Sequence, residues 1–163
     1  MNRALLKSEN NHHNTPLNFM EYVYSFWPRG VDLDPCSNSS SIVKAKTKWD
    51  GTFGQCGLSI QWVGRVFCNP PYKNEIPKWV KKCVESSYLC ECEIILLVPS
   101  RTDTRWFNMA LEACDSLCLV KGRLKFGEAT NAAPFPSAVF YWGDKAEAFG
   151  EAFRGLGPIV EVV

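Results

Sequence analysis

Asn69-Pro70-Pro71-Tyr72 joins a carboxamide, two prolines and an aromatic ring directly after a short apolar run, Gly64-Arg65-Val66-Phe67-Cys68. Neither proline can donate a ladder hydrogen bond, so strand pairing must stop at Asn69. Each proline also biases the residue before it toward extended geometry. The segment therefore presents the Asn69 side-chain oxygen and the Pro70 carbonyl as acceptors on a stiff frame with few conformations to lose. Two acceptors and a flat ring suit the alkylation of an exocyclic amine of the adenine type, a poor nucleophile because its lone pair is delocalised into the ring. Accepting its two N–H hydrogens draws the nitrogen toward tetrahedral geometry and frees that lone pair in the transition state. Tyr72 would stack on the base, which must leave a duplex to reach such a pocket. The competing reading is a rigid turn that closes a strand.

A strand that ends in this loop needs a sheet to hold it, and the rest of the chain alternates strand with helix in the manner of a parallel sheet with crossover helices. Pro16 to Phe26 reads as a short helix with Thr15 as N-cap and proline at the first helical position. Val31 to Asp34 is a first strand and Lys44 to Trp49 a second, in a stretch from 37 to 63 that is otherwise hard to read. Pro77 to Leu89 is helical, Glu93 to Val98 is the clearest buried strand, and Thr104 to Cys114 is a helix capped by Asp103 or Thr104. Leu117 to Val120 and Ala138 to Trp142 complete the sheet. Lys121 to Ser137, between them, is long for a hairpin connection, and loops of that length tend to be functional. Residues 1 to 13 are expected to form a mobile polar tail, with His12 and His13 solvated, ahead of a single domain over 14–163.

At 163 residues the chain is long enough for a single core, and 46% hydrophobic with 21% charged residues is ordinary for a globular protein. No apolar run approaches a membrane span and no secretory signal is evident. Eight cysteines without a signal favour reduced, buried thiols and a cytoplasmic setting. They lack paired zinc-site spacing, so no structural metal is expected. The net charge of +1 means that any affinity for nucleic acid must come from a local basic surface.

The tetrapeptide resembles the catalytic motif of amino-group methyltransferases that use S-adenosylmethionine (SAM). Beyond it, several blocks in order resemble the small phage and prophage DNA N6-adenine methyltransferase (Dam-like) family: Thr15-Pro16, Leu33-Asp34-Pro35-Cys36, Asp50-Gly51, Val66 to Tyr72, Leu97 to Phe107, Gly122 to Phe126 and Ala133 to Ala138. The likeness covers residues 14 to 142. It implies a Rossmann-like α/β methyltransferase, with a mostly parallel sheet, helices on both faces and an antiparallel final strand. It also implies that SAM is held by Thr15 and Pro16, which fold over its methionine end, by Asp34, Pro35 and Cys36, and by Asp50 and Asn69. Asp34 would face the cationic end of SAM, although no glycine follows it as one does in most SAM sites. Capping of the local backbone is the alternative role for Asp34, and a turn role is open for Asp50.

Arg101, Arg105, Lys121, Arg123 and Lys125 flank two predicted strand ends on the expected active-site edge, where phosphate contact is their natural role. Lys78, Lys81 and Lys82 read as a solvated helix face. The segment 121–136 is the leading candidate for reading base sequence. The expected activity is methyl transfer from SAM to N6 of a flipped adenine in DNA, with Asn69 and Pro70 activating the amine, Pro71 stiffening the loop, Tyr72 stacking, and no metal. The same fold acting on cytosine N4, RNA or a protein amide is one alternative. A catalytically idle nucleic-acid-binding module is another.

Overall fold

The computed structural model describes residues 13–52, 56–127 and 131–162. The chain runs α1 (Leu17–Phe26), β1 (Val31–Asp34), β2 (Ala45–Lys48), β3 (Gly64–Cys68), α2 (Ile76–Leu89), β4 (Cys92–Pro99), α3 (Arg105–Ala113), β5 (Ser116–Leu119), β6 (Ser137–Trp142), α4 (Ala146–Phe153) and β7 (Ile159–Glu161). The strands form one mixed sheet of order β2-β1-β3-β4-β6-β5-β7. β2, β1, β3 and β4 are mutually parallel, whereas β6 pairs antiparallel with both β4 and β5, so β5 points the same way as the parallel set.

β4 carries Ile94, Ile95, Leu96, Leu97 and Val98 in succession, all fully buried. A continuous apolar run of this kind is what a strand covered on both faces requires. β6 shows the two faces directly, because neighbouring residues of a strand point to opposite sides. Phe140 meets Phe107 of α3 at 5.0 Å, while Tyr141 stacks on Phe149 of α4 at 5.1 Å. α2 packs beside α3 on the first side and α1 beside α4 on the second, where Tyr22 and Phe26 reach Phe153 and Phe149.

Three features differ from the sequence expectations. Thr15 does not cap α1: Pro16 occupies the N-cap position, its carbonyl accepting from the Phe19 and Met20 N–H groups, and the Thr15 hydroxyl points elsewhere. The connection from β1 to β2 holds turns and no helix. Leu117 to Val120 and Ala138 to Trp142 do not complete the sheet either, since α4 and β7 follow, and β7 pairs antiparallel with β5 as the edge strand. At α3 the N-cap is Thr104, whose hydroxyl accepts from the Phe107 N–H at 3.2 Å. All eight cysteines are free thiols; Cys68, Cys83, Cys114 and Cys118 are buried and Cys56 is exposed.

Candidate active site

The common direction of β1, β3, β4 and β5 brings Asp34, Asn69, Ser100 and Val120 to one edge of the sheet. From β1 the chain builds outward to β2, and from β3 it builds the other way to β4, so strand order reverses between β1 and β3. Open α/β sheets bind their ligands beyond the carboxyl ends of the strands at such a reversal. The two loops that meet there are Asp34-Pro35-Cys36 and Asn69-Pro70-Pro71-Tyr72, and the Cys36 and Cys68 sulfurs lie 3.7 Å apart beneath them.

Asn69 is held by its amide nitrogen. Nδ2 donates to the His13 carbonyl at 2.6 Å and to the Thr15 hydroxyl at 2.9 Å, which uses both of its hydrogens and fixes the plane of the group. The amide oxygen is thereby aimed away from both partners. It is buried and has no hydrogen-bond partner among the described residues. A buried acceptor without a partner costs free energy, so its persistence marks a place where another donor belongs. Lys73, next after Tyr72, sits at φ 78°, a left-handed conformation that non-glycine residues adopt only where their surroundings impose it.

Asp34 is 3% exposed, and burial pushes its carboxyl up to about 6, against the pull of the Cys36 backbone N–H that its Oδ1 accepts at 3.3 Å. It lines a small cavity with Thr15, Cys36, Asn69 and Pro70. A second cavity of about 180 Å3 adjoins it through Cys36 and Pro71, with Pro35, Trp49, Asp50 and Trp79 among its walls. Gly57 seats the loop above Pro35, since a Cβ there would lie 1.8 Å from the Pro35 carbonyl oxygen. Asp50, at the rim, is fully exposed and accepts from the Thr52 N–H at 2.9 Å, which lowers its pKa; the turn role is therefore the one the structure displays.

Tyr72 is 4% exposed, and its ring is already stacked, on the His13 imidazole at 4.7 Å between centroids and 22° between planes. Phe126 and Phe135 meet the Tyr72 ring edge-on at 5.8 and 5.5 Å. His13 is thus half-buried and packed, and not part of a solvated tail, because an apolar box of three rings receives it. Residues 1–12 lie outside the described residues. The Tyr72 hydroxyl is buried without a partner among the described residues, and burial raises its pKa well above the phenolic range.

Arg101, Arg105, Lys121, Arg123 and Lys125 are all exposed, beyond the carboxyl ends of β4 and β5, and none forms an ion pair among the described residues. The segment after β5 alternates, with Arg123 and Lys125 outward and Leu124 and Phe126 buried. It is tied down by the Gly127 N–H to the Asn14 carbonyl and the Ala133 N–H to the Leu124 carbonyl, each at 2.8 Å. Residues 128–130 of this segment fall outside the described set. On α2, Lys78 and Lys81 form exposed pairs with Glu75 and Glu85, but Lys82 donates to the Ile60 carbonyl at 2.7 Å and lies over the Trp62 ring, so it fastens a loop. His13, Phe126 and Phe135 around Tyr72, and Trp49 and Trp79 in the second cavity, are the residues that sequence reasoning missed. The outward and inward alternation of Arg123-Leu124-Lys125-Phe126 was the one local signal for any of them.

Such a layout, two loops at the reversal point of an α/β sheet with polar groups converging on a cleft, is that of a ligand-binding α/β protein. Residues 2–143 match the family DNA N-6-adenine-methyltransferase (Dam), and the chain belongs to that family. A protein of Haemophilus phage HP1 (strain HP1c1) named DNA N-6-adenine-methyltransferase is 28% identical over 140 residues, which span 81% of this chain and 78% of that protein.

Proposed function

We propose that this DNA N6-adenine methyltransferase holds SAM at the β1–β3 reversal point of a Rossmann-like sheet and methylates a flipped-out adenine held by Asn69, Pro70 and Tyr72. The observation that carries the reading is the Asn69 amide, clamped through its nitrogen with its oxygen buried and unpaired. That oxygen and the Pro70 carbonyl accept the two N–H hydrogens of the adenine amine, and the lone pair is released toward the incoming carbon. Neither acceptor is basic enough to keep a proton, so the proton shed by the methylated nitrogen passes to solvent. Tyr72 stacks on the base, and Pro71 stiffens the loop.

The residues present fit the cofactor. Asp34 is a carboxylate whose charge is disfavoured by burial, and a cationic ligand relieves that penalty. Thr15, Cys36 and Asn69 share its cavity, with Pro16 fixing the strap that carries Thr15, while Pro35 and Asp50 border the second cavity, which takes the adenosine end. When bound, SAM supplies a methyl group on a sulfonium, already a good leaving group. The chain's own contribution is chiefly orientation of the amine. Arg101, Arg105, Lys121, Arg123 and Lys125 contact DNA phosphates, and the segment 121–136 reads the flanking bases. With no helix of the described residues long and apolar enough to cross a membrane, and with DNA as substrate, the host-cell cytoplasm is the natural setting.

Transfer of tritiated methyl from SAM to unmethylated DNA, followed by digestion to nucleosides, tests this directly. Label in N6-methyl-2′-deoxyadenosine is the expected result. Label only in N4-methylcytosine, or transfer to RNA or protein in place of DNA, would overturn the substrate assignment, and no SAM binding by calorimetry would overturn the cofactor site.

A further inference from the structure

Tyr72 is 4% exposed, and the face of its ring that would take a base is covered by the His13 imidazole, parallel to it at stacking distance. The same imidazole is met edge-on by Phe126 at 5.3 Å and 84° and by Phe135 at 5.4 Å and 72°. A flat, nitrogen-bearing heteroaromatic ring is therefore held against Tyr72 as a nucleobase would be, by one stack and two ring edges. We propose that His13 is a stand-in base: its ring fills the target-base pocket in the DNA-free enzyme, and adenine enters by displacing it. This rests on the reading of Tyr72 as the base-stacking residue.

Two observations make the displacement physically economical. The clamp on Asn69 uses the His13 backbone carbonyl, so the ring can rotate out about its own side-chain bonds while Nδ2 keeps its 2.6 Å partner. The three rings of Tyr72, Phe126 and Phe135 stay apart around a flat occupant, which preserves the pocket and leaves adenine to exchange one stack for another. The cost falls on apparent affinity. A site that is open only part of the time binds more weakly in proportion to the fraction of time open.

The chain has only two histidines, so the test is direct. In full-length protein labelled with 13C-histidine, one imidazole resonance is expected to be shifted upfield by the surrounding rings and to vanish in His13→Gln. Saturating unmethylated duplex DNA should return it to the position of an exposed histidine. A His13 resonance at the exposed position without DNA, or one unmoved at saturation, overturns the proposal. Kinetics supply a second measurement. His13→Ala, which keeps the backbone carbonyl, should lower KM for DNA by about three- to tenfold, whereas a raised or unchanged KM would show that the ring does not compete with the base. If instead Tyr72→Ala, added to His13→Ala so that no imidazole competes for the ring, leaves KM for DNA unaltered, the stacking assignment itself has failed, an outcome separate from a fixed His13 resonance.

Discussion

Replacing Asn69 with alanine deletes the proposed catalytic acceptor and a structural donor together, and the two consequences have different sizes. On the structural side, the Nδ2 bonds to His13 and Thr15 are lost, each worth about 1 kcal/mol net. The buried and unpaired Oδ1 disappears as well, and relief of its desolvation returns about 1–3 kcal/mol. The buried Thr15 hydroxyl, however, loses the donor it accepts from, at a cost of about 1–3 kcal/mol, so the urea midpoint of Asn69→Ala should fall modestly. On the catalytic side, one preorganised acceptor in a transition state is worth about 2.7–4 kcal/mol, or about a hundred- to a thousandfold in kcat. Single-turnover transfer of tritiated methyl to unmethylated DNA, run beside SAM titration by calorimetry, separates the effects. SAM binding should survive while the chemical step falls at least about a hundredfold. A near-normal single-turnover rate would refute the role assigned to the amide. A raised urea midpoint would refute the structural role of the two Nδ2 bonds.

Tyr72→Phe should retain most activity and lose no stability, since the phenolic oxygen it removes is buried without a partner among the described residues, whereas Tyr72→Ala should weaken DNA binding by about 1–3 kcal/mol; a Phe variant as damaged as Ala would refute the stacking role. Asp34 titrates at about 6 in the fold against 3.8 for an unperturbed carboxyl, so its ionisation costs the free protein about 3 kcal/mol above pH 6. Because the folded pKa is the higher one, that penalty fades as pH falls through 6 toward 3.8 and the free protein gains stability in this window, while SAM affinity, which needs the anion, falls. Calorimetric SAM titrations between pH 5 and 7.5 should show the loss setting in near about 6 in the parent and abolished pH dependence in Asp34→Asn. Lys121→Gln, Arg123→Gln and Lys125→Gln combined should weaken DNA binding and reduce its log-salt slope by somewhat under one unit for each phosphate no longer neutralised, with SAM affinity unchanged; an unaltered slope would place the DNA surface elsewhere.

What could be read in advance was local. The β-strands announced themselves through runs such as Ile94 to Val98, and the loop after β3 through its two prolines. The antiparallel β6 was expected, but not its insertion between β4 and β5. α4 and β7 escaped because Gly150 interrupts the helix and Gly155, Gly157 and Pro158 crowd the connection, so neither shows a long periodic pattern. The site was half legible. Asn69 and Asp34 sit at strand ends, which sequence can locate, but His13, Phe126 and Phe135 belong to one pocket only because segments more than a hundred residues apart fold onto one another. His13 in particular follows polar asparagines and reads as tail until the rings that receive it are in place.

α4 and β7 close off surfaces that the rest of the sheet leaves open. Tyr141 has its stacking partner in Phe149, Tyr22 and Phe26 await Phe153, and the outer edge of β5 is closed by Ile159–Glu161. Without α4 and β7, α1 alone would cover that side of the sheet, and the outer edge of β5, the strand that leads into the basic segment, would be open. Loss of α4 and β7 would thus bare Tyr22, Phe26 and Tyr141 together with an unpaired strand edge, the two kinds of surface through which a sheet protein aggregates.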